Sequence, residues 1–201
     1  MAKKVVIFDL CGVLVKWNPR HAYKKRIRDK KRLEYFMTNV CSADFHLSYD
    51  EGRSLEKTIA EWQQRFPEYT TELAIFPEIR KDMFLGEIRG TVKIVKELQK
   101  QGVKVYLLSN CAHENIKLVE EFFPLYHAFD GAVFSGEAKA VKPKPEIFNY
   151  LLDRYQITKE DAVFIDDNPV NIAKAKELGL DSVTFSSPRK LRKELKKYGL
   201  L

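Results

Sequence analysis

Short apolar runs alternate along this chain with segments whose apolar positions recur every three or four residues. That alternation is the signature of strands buried on both faces, separated by amphipathic helices. Val5–Phe8 is apolar at every position and ends in Asp9. The largely apolar segments Val103–Leu108, Ala132–Phe134, Ala162–Ile165 and Ser182–Phe185 repeat the pattern. Between them lie helical patterns at Thr91–Gln101, Asn115–Phe123, Pro145–Tyr155 and Pro169–Leu178. The first places Val92, Val95 and Leu98 on one face and stops at Gly102, and the last is closed by Gly179. Strand and helix in alternation predict an α/β fold, a doubly wound, Rossmann-like parallel sheet with helices on both faces.

Residues 16–87 interrupt this order. They hold no good strand pattern, but Arg32–Val40, Ser54–Phe66 and Ile75–Leu85 have helical periodicity. The expectation is a helical cap, residues 16–87, inserted into a core formed by residues 1–15 and 88–201. A length of 201 residues accommodates one such core with a modest insertion.

Composition narrows the class. A hydrophobic fraction of 45% with 31% charged residues is that of a folded globular chain. No apolar run approaches the roughly 18 residues of a membrane span. Met1–Lys4 is followed by only a few apolar residues before Asp9, unlike a signal peptide, so the expected location is cytoplasmic, with no membrane partner. Cys11, Cys41 and Cys111 are too scattered for a disulfide framework. The net charge of +7 collects in Lys24–Arg32 and Arg189–Lys197, which read as solvated helix faces. Neither interleaves aromatic with basic residues as single-strand binders do, so no nucleic-acid partner is expected. The charge favours a small anionic substrate, and a monomer or weak homodimer is expected.

In open α/β sheets, ligands bind beyond the carboxyl ends of the strands. Here those ends carry Asp9, Ser109-Asn110, Ser135 and Asp166-Asp167. Taken singly, Asp9 could be a helix cap, and the acidic pair could cap the helix at Pro169, for which Asn168 is also suited. Together, three carboxylates at one sheet edge repel each other unless a cation sits among them, and hard oxygen ligands suit Mg²⁺. A carboxylate attacking a phosphate dianion meets repulsion of ~4 kcal/mol per charge pair at intermediate dielectric, which the same cation relieves. Ser109 can donate to another phosphate oxygen. Lys142, in a loop stiffened by Pro143 and Pro145, can complete the charge balance.

At this point the residues resemble a known family. Phe8–Leu14 (FDLCGVL), Leu107–Asn110 (LLSN), Lys142–Phe148 (KPKPEIF) and Phe164–Asn168 (FIDDN) match, in order and spacing, the four motifs of the haloacid dehalogenase superfamily. The insertion resembles that of members with a helical cap after the first motif. Trp17–His21 and Asp50–Arg53 resemble a bacterial branch that includes sugar-phosphate phosphatases. The resemblance implies a Mg²⁺-dependent phosphomonoesterase acting on a small phosphorylated metabolite through a phospho-aspartyl intermediate at Asp9. It further implies Mg²⁺ held by the Asp9 carboxylate, the backbone carbonyl of Cys11 and the pair Asp166-Asp167, with Asp167 in direct contact. Dehalogenases of the superfamily share the nucleophile but carry neutral residues in place of the acidic pair. The alternatives are thus a 2-haloacid dehalogenase, or a catalytically weak relative that binds a phosphorylated ligand or protein partner.

One position departs from the family pattern. Most of its phosphatases have a second aspartate two residues after the nucleophile, where this chain has Cys11. A thiol is a poor general base at neutral pH, and losing a general acid–base costs ~10²–10⁴-fold. Activated esters such as sugar 1-phosphates or aryl phosphates are therefore the expected substrates. His21 and His113 are candidate substitute proton carriers, and Arg20 is expected to contact phosphate alongside Ser109 and Asn110.

Overall fold

Strand β1 (Val5–Phe8) runs through the middle of the protein, whose computed structural model describes residues 3–201. A tight loop leads into β2 (Val15–Trp17). The chain then forms α1 (Pro19–Tyr23), α2 (Lys30–Tyr35), α3 (Ala43–Asp50), α4 (Leu55–Arg65), α5 (Thr70–Ala74) and α6 (Phe76–Ile79) before β3 (Phe84–Glu87). Next come α7 (Arg89–Lys100), β4 (Lys104–Ser109), α8 (Ile116–Phe122), β5 (Gly131–Phe134), α9 (Ser135–Ala138) and α10 (Pro145–Arg154). The chain ends with β6 (Ala162–Asp166), α11 (Pro169–Glu177), β7 (Asp181–Thr184) and α12 (Pro188–Lys197).

The main sheet has the order β5-β4-β1-β6-β7, parallel throughout. It is the predicted doubly wound α/β architecture. The apolar alternation of β1 explains its two covered faces. Val6 and Phe8 pack with Val92, Val95 and Leu98 of α7 and with Leu191 and Leu195 of α12. Ile7 points the other way, into Ile147, Phe148 and Leu151 of α10 and Ile172 of α11. The register pairs Phe8 with Leu107 on one side and Ile165 on the other, so the ends of β1, β4 and β6 finish level. Asp9 prolongs the ladder by donating its backbone N–H to the Ile165 carbonyl at 2.8 Å.

Two expectations need correction. The segment read as lacking strands contains β3, which pairs antiparallel with β2 (Val15 with Glu87, Trp17 with Phe84). The helical window Ile75–Leu85 accordingly ends at Met83, because Phe84 is drawn into the ribbon and Gly86 takes a positive φ of 93°. The basic tail is the expected helix, α12, which exposes Arg189, Lys190, Lys193, Lys196 and Lys197 and buries Leu191 and Leu195 on its other face. Arg192 of that helix pairs with Glu97 of α7. Among the described residues, no helix is long and apolar enough to cross a membrane.

The helices between β2 and β3 share an apolar cluster of their own, built on Tyr23, Phe36, Phe45, Trp62, Leu73 and Phe76. Phe45 makes edge-to-face contacts with Trp62 at 5.6 Å and Phe76 at 5.0 Å, a favoured aromatic geometry. His46 sits beside this cluster, its ring 4.9 Å from Trp17 and its Nε2 3.4 Å from the Cys41 sulfur. Burial lowers its pKa from 6.5 to about 4. The unfolded chain therefore binds a proton at this residue that the folded chain refuses. The His46 contribution to stability is fully present above pH 6.5 and is lost as pH falls toward 4. In thermal melts, His46→Phe should lose less Tm than wild type between those two pH values; parallel losses would show that other groups carry the acid sensitivity.

Candidate active site

Three strand ends converge on one buried ammonium. Lys142, only 2% exposed, donates to Asp9 Oδ1 at 2.7 Å, Asp166 Oδ2 at 2.7 Å and the Leu108 carbonyl at 2.9 Å. All three of its donors are thereby satisfied. The lysine comes from the loop before α10, and that loop is pinned by Asn110. The Asn110 side-chain amide donates to the Lys142 carbonyl at 2.9 Å and accepts from the Lys142 backbone N–H at 2.7 Å. Asn110 thus positions Lys142 through its oxygen and one N–H, and its second N–H is left on the cavity side. Ser109 is buried beside it, and its hydroxyl makes only a long 3.4 Å contact, to the Asn110 carbonyl.

The two acids of the β6 end have different surroundings. Asp166 is wholly buried, with Oδ1 accepting from Asn168 N–H at 2.8 Å and Oδ2 accepting from both Lys142 and Asn171 Nδ2, the latter at 3.0 Å. Asp167 is exposed and its carboxylate has no side-chain partner among the described residues. Asn168 caps α11 by accepting from Val170 N–H at 2.9 Å, so the acidic pair is not needed as the cap. Oxygens of Asp9, Asp166 and Asp167 lie within 4.8 Å of one another. Gly12 makes that approach feasible. It has a φ of +89°, and a Cβ there would sit 2.1 Å from Asp167 Oδ2.

Electrostatics follow from burial. Asp9 is pushed up to about 7, first by desolvation, against the pull of Lys142 and with further push from Asp166 and Asp167. Asp167, although exposed, is raised by partial loss of hydration on its inner side and by Asp166. Burial alone would lower Lys142, but Asp9 and Asp166 outweigh it and carry it up to about 12. The Cys11 thiol is driven well above its ordinary range by burial and then by Asp9, so it stays protonated at neutral pH. One lysine faces three carboxylates, and this uncompensated set of hard oxygens fits a divalent cation of the Mg²⁺ type.

A cavity of about 450 Å³ opens over this cluster, with Cys11, Asn110, Lys142 and Asn168 in its wall. Most of the remaining wall is apolar, including Leu10, Trp17, Leu47, Phe76, Met83, Phe84 and Val119. Arg20 is not part of it. Contrary to expectation, its guanidinium is on the surface, paired with Glu34 at 2.8 Å. His21 lines a separate shallow depression with Lys25 and Asp82, and His113 is absent from the cavity wall. Sequence reasoning missed the two charged residues that the insertion does contribute, Asp50 and Arg80. Arg80 approaches Glu114 only to 3.8 Å, and its buried Nη1 has no hydrogen-bond partner. Nothing in the sequence sets Arg80 apart from the other basic residues. Asp50 lies in a segment already noted, but periodicity alone does not show which way it faces.

A family model described as haloacid dehalogenase-like hydrolase matches residues 3–179. The chain belongs to this hydrolase family. Among its relatives is the sesquiterpene phosphatase astK of Aspergillus oryzae, 25% identical over 186 residues and spanning 88% of this chain and 87% of the relative. The pyrophosphatase PpaX of Bacillus cereus (strain Q1) is 24% identical over 205 residues, covering 98% of this chain and 90% of the relative. A haloacid dehalogenase family enzyme from Bacteroides thetaiotaomicron was solved as an aspartate-to-alanine variant with magnesium and inorganic phosphate. It superposes with a TM-score of 0.70 at 25% identity, over 92% of this chain and 95% of that one. The L-2-haloacid dehalogenase of Xanthobacter autotrophicus shares the fold, with a TM-score of 0.67 at 19% identity over 97% of this chain and 83% of that one.

The close approach at Gly12 gives a direct test of the hydrolase's acidic cluster. Gly12→Ala should displace Asp167 and weaken Mg²⁺ binding by about tenfold or more, read by titration calorimetry on protein whose circular dichroism is unchanged. Unaltered affinity would remove Asp167 from the cation site.

Proposed function

We propose that the protein is a magnesium-dependent phosphomonoesterase working through a phospho-aspartyl intermediate on Asp9. The observation that carries this reading is the buried Asp9–Lys142–Asp166 cluster at the level ends of β1, β4 and β6. The family membership and the phosphatase relatives support it. In this reading Asp9, the Cys11 carbonyl and Asp167 hold Mg²⁺ directly, and Asp166, whose oxygens are already engaged, positions Lys142 and the α11 turn. Magnesium, when bound, neutralises the carboxylates and orients a phosphate oxygen. Lys142 keeps Asp9 aligned and balances the charge that the phosphoryl group brings. Ser109 has a hydroxyl free to donate to that group. The helical segment 16–87 acts as a cap that closes over the leaving group and excludes water. The acidic cluster disfavours the dehalogenase alternative, since such a concentration of charge has no task in displacing halide.

The cavity wall also selects the substrate. Trp17, Leu47, Phe76, Met83 and Val119 offer an organic group apolar contact, while His46, Tyr49, Arg80 and Asn115 offer it a few polar partners. An ester with a mainly apolar alcohol suits the larger part of this wall, so aryl and alkyl phosphates stand beside the sugar 1-phosphates as candidate substrates. The unpaired Arg80 Nη1 supplies one polar anchor for the organic group.

Phosphate release should be measured on aryl, alkyl, sugar 1- and sugar 6-phosphates, with Mg²⁺ or with EDTA. Expected outcomes are turnover only with Mg²⁺, faster reaction of the apolar esters, and loss of at least ~10³-fold in Asp9→Asn. A folded, Mg²⁺-binding protein that releases phosphate from none of them would favour a ligand-binding relative, the reading that Cys11 supports.

A further inference from the structure

The proposed chemistry needs a group that gives a proton to the leaving oxygen and later takes one from water, and Cys11 does not supply it. We propose that Asp50, the last residue of α3, is that proton carrier, brought to the site by the insertion rather than by the β1 loop. The inference rests on the phosphomonoesterase reading above and deepens it.

Geometry singles Asp50 out. It is the only carboxylate of the insertion in the cavity wall, which it shares with Cys11 and Lys142. It is fixed there by the core. Its Oδ1 accepts from the Ala112 backbone N–H at 3.0 Å, just past the end of β4. Its carbonyl accepts from the Ser135 hydroxyl at 2.7 Å, and that oxygen in turn accepts from Cys111 N–H at 2.8 Å. Two strand-end loops thus hold the helix terminus, while Oδ2 makes no hydrogen bond among the described residues and remains available. His21 and His113 lack this placement; His46 does line the cavity, but burial lowers its pKa to about 4 and its Nε2 lies against the Cys41 sulfur.

The surroundings suit a carboxyl that exchanges a proton. Burial raises Asp50 to about 7, against the opposing Ala112 N–H. The titratable or charged groups around it are His46, Tyr49 and Glu51 on its own segment, and Cys11, Cys111, Arg80, Lys142 and Lys144 from the elements facing it. Tyr49, Cys11 and Cys111 are all pushed above their ordinary values by burial and stay neutral near pH 7. Glu51 and Lys144 pair with each other, and Lys142 is engaged by Asp9 and Asp166.

The steps balance. The Asp9 carboxylate forms a P–O bond as the ester P–O bond breaks, and the departing alkoxide takes the Asp50 proton. Water then attacks phosphorus, the bond to Asp9 breaks, and the water proton returns to Asp50, leaving inorganic phosphate.

Asp50→Asn keeps the acceptor for Ala112 and is the test. On an alkyl phosphate with Mg²⁺, kcat should fall ~10²–10⁴-fold with KM little changed. The fall of wild-type kcat/KM toward alkaline pH should disappear. On p-nitrophenyl phosphate, whose leaving group departs unaided, the variant should show a burst of one nitrophenolate per site followed by slow turnover, because the acyl phosphate now lacks its base. Adding Cys11→Asp to Asp50→Asn should restore alkyl phosphate turnover. An active wild type beside an Asp50→Asn of equal kcat, or one with raised KM, no burst and no rescue, would overturn the assignment and leave the phosphatase reading standing. A wild type inactive on every ester would overturn both.

Discussion

The site depends on one buried cation. The Lys142 ammonium sits among Asp9, Asp166 and the Leu108 carbonyl, groups supplied by three adjacent strands. Ion pairs this deep are paid for by desolvation, and removing one partner typically costs 3–5 kcal/mol because a charge is stranded. Much of the nearby structure serves to hold this arrangement. Asn110 grips the lysine backbone through two hydrogen bonds, and Asn171 and the Asn168 N–H occupy what remains of Asp166. Asp167 is left without such support. The lysine therefore fixes two of the three carboxylates and leaves the third, with part of the negative charge, to be met by a divalent ion.

The lysine-centred cluster was legible in the sequence because buried parallel strands write themselves as apolar runs. The residue ending each run falls at the sheet's carboxyl edge by topology alone, so Asp9, Ser109 and Asp166 could be grouped before any coordinate was known. What sequence did not disclose depends on partners far apart in the chain. Nothing local distinguishes Phe84 as a strand residue until Trp17 lies beside it. Arg20 was a reasonable phosphate ligand until Glu34 took its guanidinium, whereas Arg80 carried no local mark. The insertion's helices are short and turn repeatedly, so periodicity does not say which side chain faces the cavity.

The insertion meets the core through polar contacts around a largely apolar cavity. Asp50 joins Ala112 and Ser135, Glu51 pairs with Lys144, and Tyr49 receives a hydrogen bond from Asn115. Each such bond contributes about 1 kcal/mol net, so a handful favours this seating of the insertion on the core. The β2–β3 ribbon ties both connections of the insertion together.

The placement of the acid–base follows from the same contacts. A carboxylate at position 11 would belong to the core and face solvent whenever the insertion was open. A carboxylate on α3 is in place only when the insertion is seated on Ala112 and Ser135. In the proposed mechanism, nucleophile and proton carrier meet only when the insertion is so seated and water is excluded, where electrostatic interactions are strongest. The acyl phosphate of that mechanism would be shielded from stray water until the same residue activates one molecule. Substituting a thiol at Cys11 removes a charge that would have repelled Asp9 at close range, and the burial that raises Asp50 is provided by the same closure. In the proposed mechanism the loss at one position and the gain at the other are coupled through the seating of α3 on Ala112 and Ser135.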